Sequence, residues 1–215
     1  MKLMVGFNRR YSVFIQKAKS FLQKSAEPKM IHYRVNAGFI PSNHWVHAPN
    51  QGGGRIIGEG CHFIDLCIFL ADSKPVSIQT LGLPNHGKYN DDNVVINMVF
   101  EDGSISNIEY LANGDKGVEK ETLEVFSGGK VVQLFDYRKL VLISNGKKTR
   151  FQSRFNQDKG HLSAWQSFVN SIESNKEAPI SFDELFESSL ATLAAAESLR
   201  TKEAVIIGDY LNSII

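Results

Sequence analysis

The stretch Gly52-Gly53-Gly54-Arg55-Ile56-Ile57-Gly58-Glu59-Gly60-Cys61-His62-Phe63-Ile64-Asp65-Leu66 constrains this chain more than any other. Three glycines open it. Ile56, Ile57, Gly60, Cys61, Ile64 and Ile68 then share one face at a period of about 3.6 residues, which predicts a buried helix from about Gly54 to Leu70. His62 lies one position off the centre of that face. An imidazole there titrates near neutrality and is a candidate acid or base; the alternative is a histidine hydrogen-bonded under a helix and doing no chemistry.

Around this helix the pattern changes twice. Residues 30–39 alternate, with Ile31, Tyr33, Val35 and Ala37 on one face and His32, Arg34 and Asn36 on the other, which predicts a strand with one apolar face. Residues 40–53 are rich in Pro, Asn, His and Gly and read as a loop of the length that often binds ligands. From Pro75 onward short strands are expected over 76–83, 94–100, 105–111, 122–127, 131–135, 140–143 and 149–153, joined as antiparallel hairpins at turn signals such as Gly128-Gly129 and Asn145-Gly146. A further short strand is expected at Leu3–Phe7, and a helix capped by Ser12 follows, with Phe14, Ala18, Phe21 and Leu22 as its buried stripe.

Two helices close the pattern. Leu162, Trp165, Phe168, Val169 and Ile172 form the apolar stripe of the first. Ser181-Phe182-Asp183-Glu184 is a capping box for the second, with Ile180 and Leu185 as a hydrophobic staple, and Val205–Ile207 is read as a final strand. Strands grouped together and helices grouped at the ends predict an α+β fold, a large mostly antiparallel sheet with helices on one face. Its other face is then a candidate subunit interface.

Composition excludes several functions. With 215 residues, 42% hydrophobic and 22% charged, the chain can bury a sizeable core. A net charge of +1 gives no overall field for nucleic acid or an anionic membrane. No apolar run approaches the ~20 residues of a membrane span. Residues 1–5 lack the features of a signal peptide, and Cys61 and Cys67 point in different directions on one helix, so a reducing, cytoplasmic location is expected.

Several polar residues are candidates for ligand contact. Arg34 has the geometry to grip a carboxylate or phosphate, or to form an ordinary surface ion pair. Trp45 is suited to stacking on a sugar face or to anchoring its loop. Gly53 and Gly54 let backbone approach a ligand and bare the amides of a helix start, although a tight turn into a buried helix accounts for them equally well. His44 and His47 with Glu59, Cys61 and His62 raise zinc, but their spacing matches no familiar pattern and no metal is expected.

The pattern Gly-Gly-Gly-x-x-x-x-x-Gly-x-His-x-Ile-Asp resembles the signature of the substrate domain of the glucose–fructose oxidoreductase / inositol 2-dehydrogenase / MocA family, and the resemblance runs from Val5-Gly6-Phe7-Asn8-Arg9-Arg10 to the last helix. It implies an NAD(P)-dependent enzyme acting on a sugar or nucleotide sugar of surface-polysaccharide synthesis, with an N-terminal Rossmann domain and a C-terminal α+β domain that pairs subunits through its sheet. By this resemblance residues 1–25 are the last Rossmann strand and linking helix, and residues 26–215 the substrate-binding and oligomerisation domain. His62 takes the place of the family histidine beside the reacting hydroxyl. Arg34 and Asn36 lie on a strand that the family aims at the substrate; Trp45, Gly53, Gly54, Arg55 and Glu59 are the further candidates for substrate contact.

The departures matter as much. Gly58 stands where the family aspartate is expected, and Glu59 is turned from that position by ~100°. No Glu-Lys-Pro supplies the family lysine, and no Gly-x-Gly-x-x-Gly follows an N-terminal strand. NAD(P) is therefore expected for the complete enzyme and not for this chain alone, which would need a Rossmann-domain partner. The other reading is a non-catalytic sugar-binding or oligomerisation module.

Overall fold

The computed structural model describes residues 2–23, 25–153 and 156–215, so Met1, Lys24, Arg154 and Phe155 lie outside the description. The described residues form strands β1 (Met30–Asn36), β2 (Pro75–Gly82), β3 (Asn93–Phe100), β4 (Ile105–Leu111), β5 (Glu121–Ser127), β6 (Lys130–Phe135), β7 (Lys139–Ser144), β8 (Lys147–Gln152) and β9 (Val205–Ile206). Five helices accompany them: α1 (Val13–Leu22), α2 (Cys61–Ala71), α3 (His161–Glu173), α4 (Phe182–Thr201) and α5 (Ile207–Ile214). All nine strands join one sheet, in the order β8-β7-β6-β5-β1-β4-β3-β2-β9. This is the α+β architecture that the alternation predicts.

Alternation in the central strand decides the layers. Ile31, Tyr33 and Val35 point inward and are fully buried, in one core with Phe63, Ile64 and Leu70 of α2, Ile15 of α1 and Ala191, Ala194 and Ala195 of α4. Each large apolar side chain removed from water this way contributes ~1.5–3 kcal/mol. The opposite face keeps Met30, Val99, Ile105 and Phe126 exposed. Pairing is antiparallel except between β1 and β4, where Tyr33 lies beside Ile108 in a parallel ladder. Hairpins alone therefore do not build the sheet: β1 enters between β4 and β5 from a distant part of the chain.

Four local readings change. Residues 3–7 form no strand; Phe7 instead buries its ring with Ile180 and Leu185. Ser12 precedes α1 but makes no capping bond, because its hydroxyl is buried, and the Asp158 carboxylate accepts from the Val13 amide at 3.4 Å. The stripe of α3 is only partly packed: Leu162 is 68% and Trp165 63% exposed and Ile172 is exposed, Phe168 and Val169 are half-buried, and Ala164 and Ser171 face in. A last helix, α5, follows the short β9. The capping box and staple of α4 form as the sequence predicts, with the Glu184 amide donating to Ser181 Oγ and Ser181 N donating back to Glu184 Oε2.

The glycine run has a separate reason at each position. A Cβ on Gly52 would lie 2.3 Å from the carbonyl oxygen of Val46, so backbone packs on backbone there. Gly53 and Gly54 instead need left-handed φ values of +68° and +88°. Gly52→Ala is expected to destabilise the fold by about 2 kcal/mol or more through this clash, and Gly54→Ala by about 1–2 kcal/mol through backbone strain. Chemical denaturation of both variants tests this; equal, negligible losses would refute the assignment.

Candidate active site

The helix that carries His62 begins irregularly. Residues 56–60 form a π-turn, closed by the Cys61 amide donating to Ile56 O, before regular α2 begins. Such turns hold one more residue than an α-turn and recur at functional sites. Here the turn brings Gly58, Glu59 and His62 to one cleft of about 320 Å³, whose other walls include Gly6, Asn8, Arg9, Phe63, Lys120 and His161. Glu59 thus shares a cleft with the histidine although it is displaced by one position from the expected carboxylate.

Glu59 and His62 are each held by specific neighbours. Glu59 accepts from Tyr110 Oη at 2.7 Å and from Arg55 Nε at 3.3 Å. Burial alone would raise its pKa, but these donors hold it below the usual carboxylate range. His62 meets Phe7 edge-on at 5.9 Å between ring centroids, and its Nδ1 is buried without a partner, which leaves Nε2 as the nitrogen open to the cleft. Burial, and then the positive charge of Arg9, push its pKa down to about 4. The imidazole is therefore neutral at physiological pH and able to accept a proton.

Arg9 is fixed by a carboxylate that the sequence reading passed over. Its Nε and Nη2 donate to the two oxygens of Glu121 at 2.9 and 3.0 Å, Lys159 Nζ donates at 2.6 Å, and Tyr33 Oη at 2.5 Å. Glu121 is fully buried. Burial would raise its pKa, yet Arg9 and Lys159 hold it at about 2. A signal for it existed: Glu121 is in phase with inward-facing Leu123 and Val125 of β5, so alternation marks it as buried. The next residue, Arg10, reaches a second buried carboxylate, Asp65 on α2, at 2.5 and 3.1 Å, and Ser188 Oγ donates to the same group. Asn8-Arg9-Arg10 is thus the seam between sheet and helices.

Other candidates fall elsewhere. Arg34 and Asn36 lie on the sheet face opposite Tyr33, away from α2, and do not reach His62. Arg34 Nη1 donates to Glu119 O at 3.0 Å, and Asn36 Nδ2 to Asp115 O at 2.7 Å, so both fasten the loop that ends at Lys120. Trp45 is exposed and lies beside His44. Gly53, Gly54 and Arg55 line a separate groove of about 580 Å³ with Pro49, Asn85 and Lys202. Arg55 itself is 2% exposed and engaged by Gly38 O, Glu59 and Asp92, so its charge serves the fold. Among the described residues no three His, Cys, Asp or Glu side chains converge to hold a metal.

The electrostatics make a direct prediction. In a histidine-detected NMR titration His62 should show a midpoint near pH 4, and Arg9→Met should move it upward by removing a like charge. The folded pKa lies below the unfolded 6.5, so the stability this group contributes is present above pH 6.5 and lost as pH falls through about 4. His62→Gln should flatten stability across that window. A His62 midpoint near 6.5 in the wild-type protein would overturn the account.

Comparisons with known proteins place the fold. No curated protein matches the chain. Among solved structures it is similar to an oxidoreductase from Agrobacterium radiobacter in complex with NAD+, L-tartaric acid and magnesium (18% identity, TM-score 0.78), covering 97% of this chain and 66% of that one. An oxidoreductase domain protein from Kribbella flavida (16%, TM-score 0.81) is covered to 66% by 96% of this chain. An aldose-aldose oxidoreductase from Caulobacter crescentus complexed with glycerol (13%, TM-score 0.80) is covered to 64% by 95% of it. The chain therefore spans less than two thirds of the length of these structures, and at such identities they establish the fold alone. The family model for the GFO/IDH/MocA C-terminal domain matches residues 15–127, more than half of the sequence, and the chain belongs to that family.

Proposed function

We propose that this chain is the substrate-binding domain of an NAD(P)-dependent oxidoreductase, and that His62 takes the proton from the hydroxyl being oxidised. The observation that carries the reading is an imidazole set against Phe7 with one nitrogen open to a cleft, where burial first and then the charge of Arg9 favour its neutral form. A base for alcohol oxidation needs that state at neutral pH. Glu59, kept anionic by Tyr110 and Arg55, stabilises the imidazolium once the proton has moved. Buried Glu121 keeps Arg9 in place throughout.

A nicotinamide, when bound, supplies the hydride chemistry of such an enzyme. The residues here do not build its cradle: Gly52–Gly54 lead into a helix over a mostly antiparallel sheet, and no βαβ dinucleotide unit surrounds them among the described residues. We assign residues 1–25 to the junction with a cofactor-binding Rossmann domain or separate chain and residues 26–215 to the substrate domain. The outward stripe of Leu162, Trp165 and Ile172 begins next to His161 on the cleft rim and is the surface we assign to that junction. The relatives solved with L-tartaric acid and as an aldose-aldose oxidoreductase support a polyhydroxy substrate, and we extend the reading to sugars and nucleotide sugars of cytoplasmic polysaccharide synthesis.

Titration of the purified chain with NADH and NADPH should give no saturable binding up to millimolar concentration, whereas addition of a cognate Rossmann domain should restore sugar oxidation that His62→Ala lowers by about 100-fold or more. Micromolar NADH binding by the chain alone would overturn the division of labour. Sugar binding with no turnover in the reconstituted protein would favour a non-catalytic module.

The open sheet face supports self-association. Met30 sits beside both Ile105 and Phe126, and Val99 beside Ile105, so four exposed apolar residues form one patch. We propose that a second copy covers it. Ile105→Glu with Phe126→Glu should turn an oligomer into a monomer in light scattering; an unchanged mass would sink this interface.

A further inference from the structure

We propose that the substrate of the His62 cleft carries a negative charge near the carbon to be oxidised, received by Arg9 and Lys120. The inference rests on the reading of this cleft as a sugar-oxidation site and adds the chemical class of the sugar, a sugar acid.

The charges around the cleft do not cancel on the side that faces a ligand. Glu121 lies behind the wall, with both oxygens taken by Arg9, Lys159 and Tyr33. Glu59 is on the wall itself, and Tyr110 and Arg55 already occupy its oxygens. The cations are not saturated in the same way. Arg9 uses Nε and Nη2 on Glu121, and Nη1 has no protein partner among the described residues. The Lys120 ammonium is exposed and likewise has no hydrogen-bond or ion-pair partner among them, while its field reaches Glu59. His161 adds a donor or acceptor at the rim. Two cationic side chains with unspent donors among the described residues thus line the same cleft as His62.

Lys120 is also held in place. Asn36 N donates to Lys120 O at 2.7 Å, Arg34 grips the preceding carbonyl of Glu119, and Asn36 Nδ2 holds Asp115 and Val118. Two residues of β1 therefore fix the end of an otherwise exposed loop at the cleft. The bonds continue the β1–β5 ladder and fix the backbone from which the Lys120 side chain extends, so a ligand has only that side chain to order. Charge-assisted hydrogen bonds from an ammonium to a carboxylate are about twice as strong as neutral ones.

The test compares hexuronates (D-glucuronate, D-galacturonate and D-mannuronate) with their neutral methyl esters, read by amide shifts of Gly58, Glu59 and His62 in the purified chain. At least one acid is expected to bind about 10-fold more tightly than its ester at these residues, and Lys120→Gln should bring the two within about 2-fold while leaving the thermal midpoint unchanged. Acid and ester binding equally at His62 would overturn this inference and leave the sugar reading standing. No shift at His62 with any probe would overturn both. If Lys120→Gln instead weakened NADH binding in the reconstituted two-domain protein and left the acid-to-ester ratio intact, the lysine would serve the cofactor and the proposal would fall.

Discussion

Two neighbouring arginines hold this domain together by reaching opposite ways. Arg9 turns to the sheet and closes on Glu121, while Arg10 turns to the helices and closes on Asp65. Ion pairs this deep are not cheap, because both partners leave water, and breaking one by deleting a single member typically costs about 3–5 kcal/mol. Their value here is geometric. The short turn at Asn8–Tyr11 is pinned against β5 and β1 on one side and against α2 and α4 on the other. Sheet and helix layer are thereby set in one relation, and the cleft between them inherits it.

That relation determines the chemistry open to His62. A histidine on the exposed face of a helix would titrate near 6.5 and be partly charged at neutral pH. Partial burial against Phe7, with the Arg9 charge nearby, removes that ambiguity and leaves a neutral ring. The same Arg9 stacks over Phe63 at 4.5 Å, so its position follows from packing as well as from Glu121. A structural ion pair and a proton acceptor are thus two consequences of one side chain.

Much of the fold was legible because inward and outward residues alternate cleanly. The period-two pattern in residues 30–36 and 121–127 located the central strands, and capping chemistry at Ser181 located α4. The parallel pairing of β1 with β4 was not legible, since no local signal distinguishes a strand inserted from afar from one added by a hairpin. The site divided in the same way. His62 stood out as a titratable group within an apolar helical pattern. Arg34 and Asn36 were assigned to the substrate by resemblance, whereas their own alternation with Tyr33 already placed them on the far face. Glu121 was passed over although its phase in β5 marked it as buried. The π-turn that brings Glu59 beside His62 depends on hydrogen-bond geometry that composition does not encode.

The exposed stripe of α3 resolves a tension in the helix itself. Its apolar spacing is that of a packed helix, yet only Ala164 and Ser171 are fully buried, Phe168 and Val169 are half-buried, and Leu162, Trp165 and Ile172 stay exposed. Large apolar groups on the outer side are costly to leave in water, at ~25 cal/mol per Å². They begin beside His161, which lines one cleft with His62 and with Arg9 and Lys120, whose remaining donors have no partner among the described residues. Unspent hydrophobic surface and unspent polar groups on one rim belong to the same physical problem, since excluding water from the stripe also dries the cleft and strengthens each charge in it. On the proposed function a single docking event would achieve both, covering the stripe and drying the cleft together.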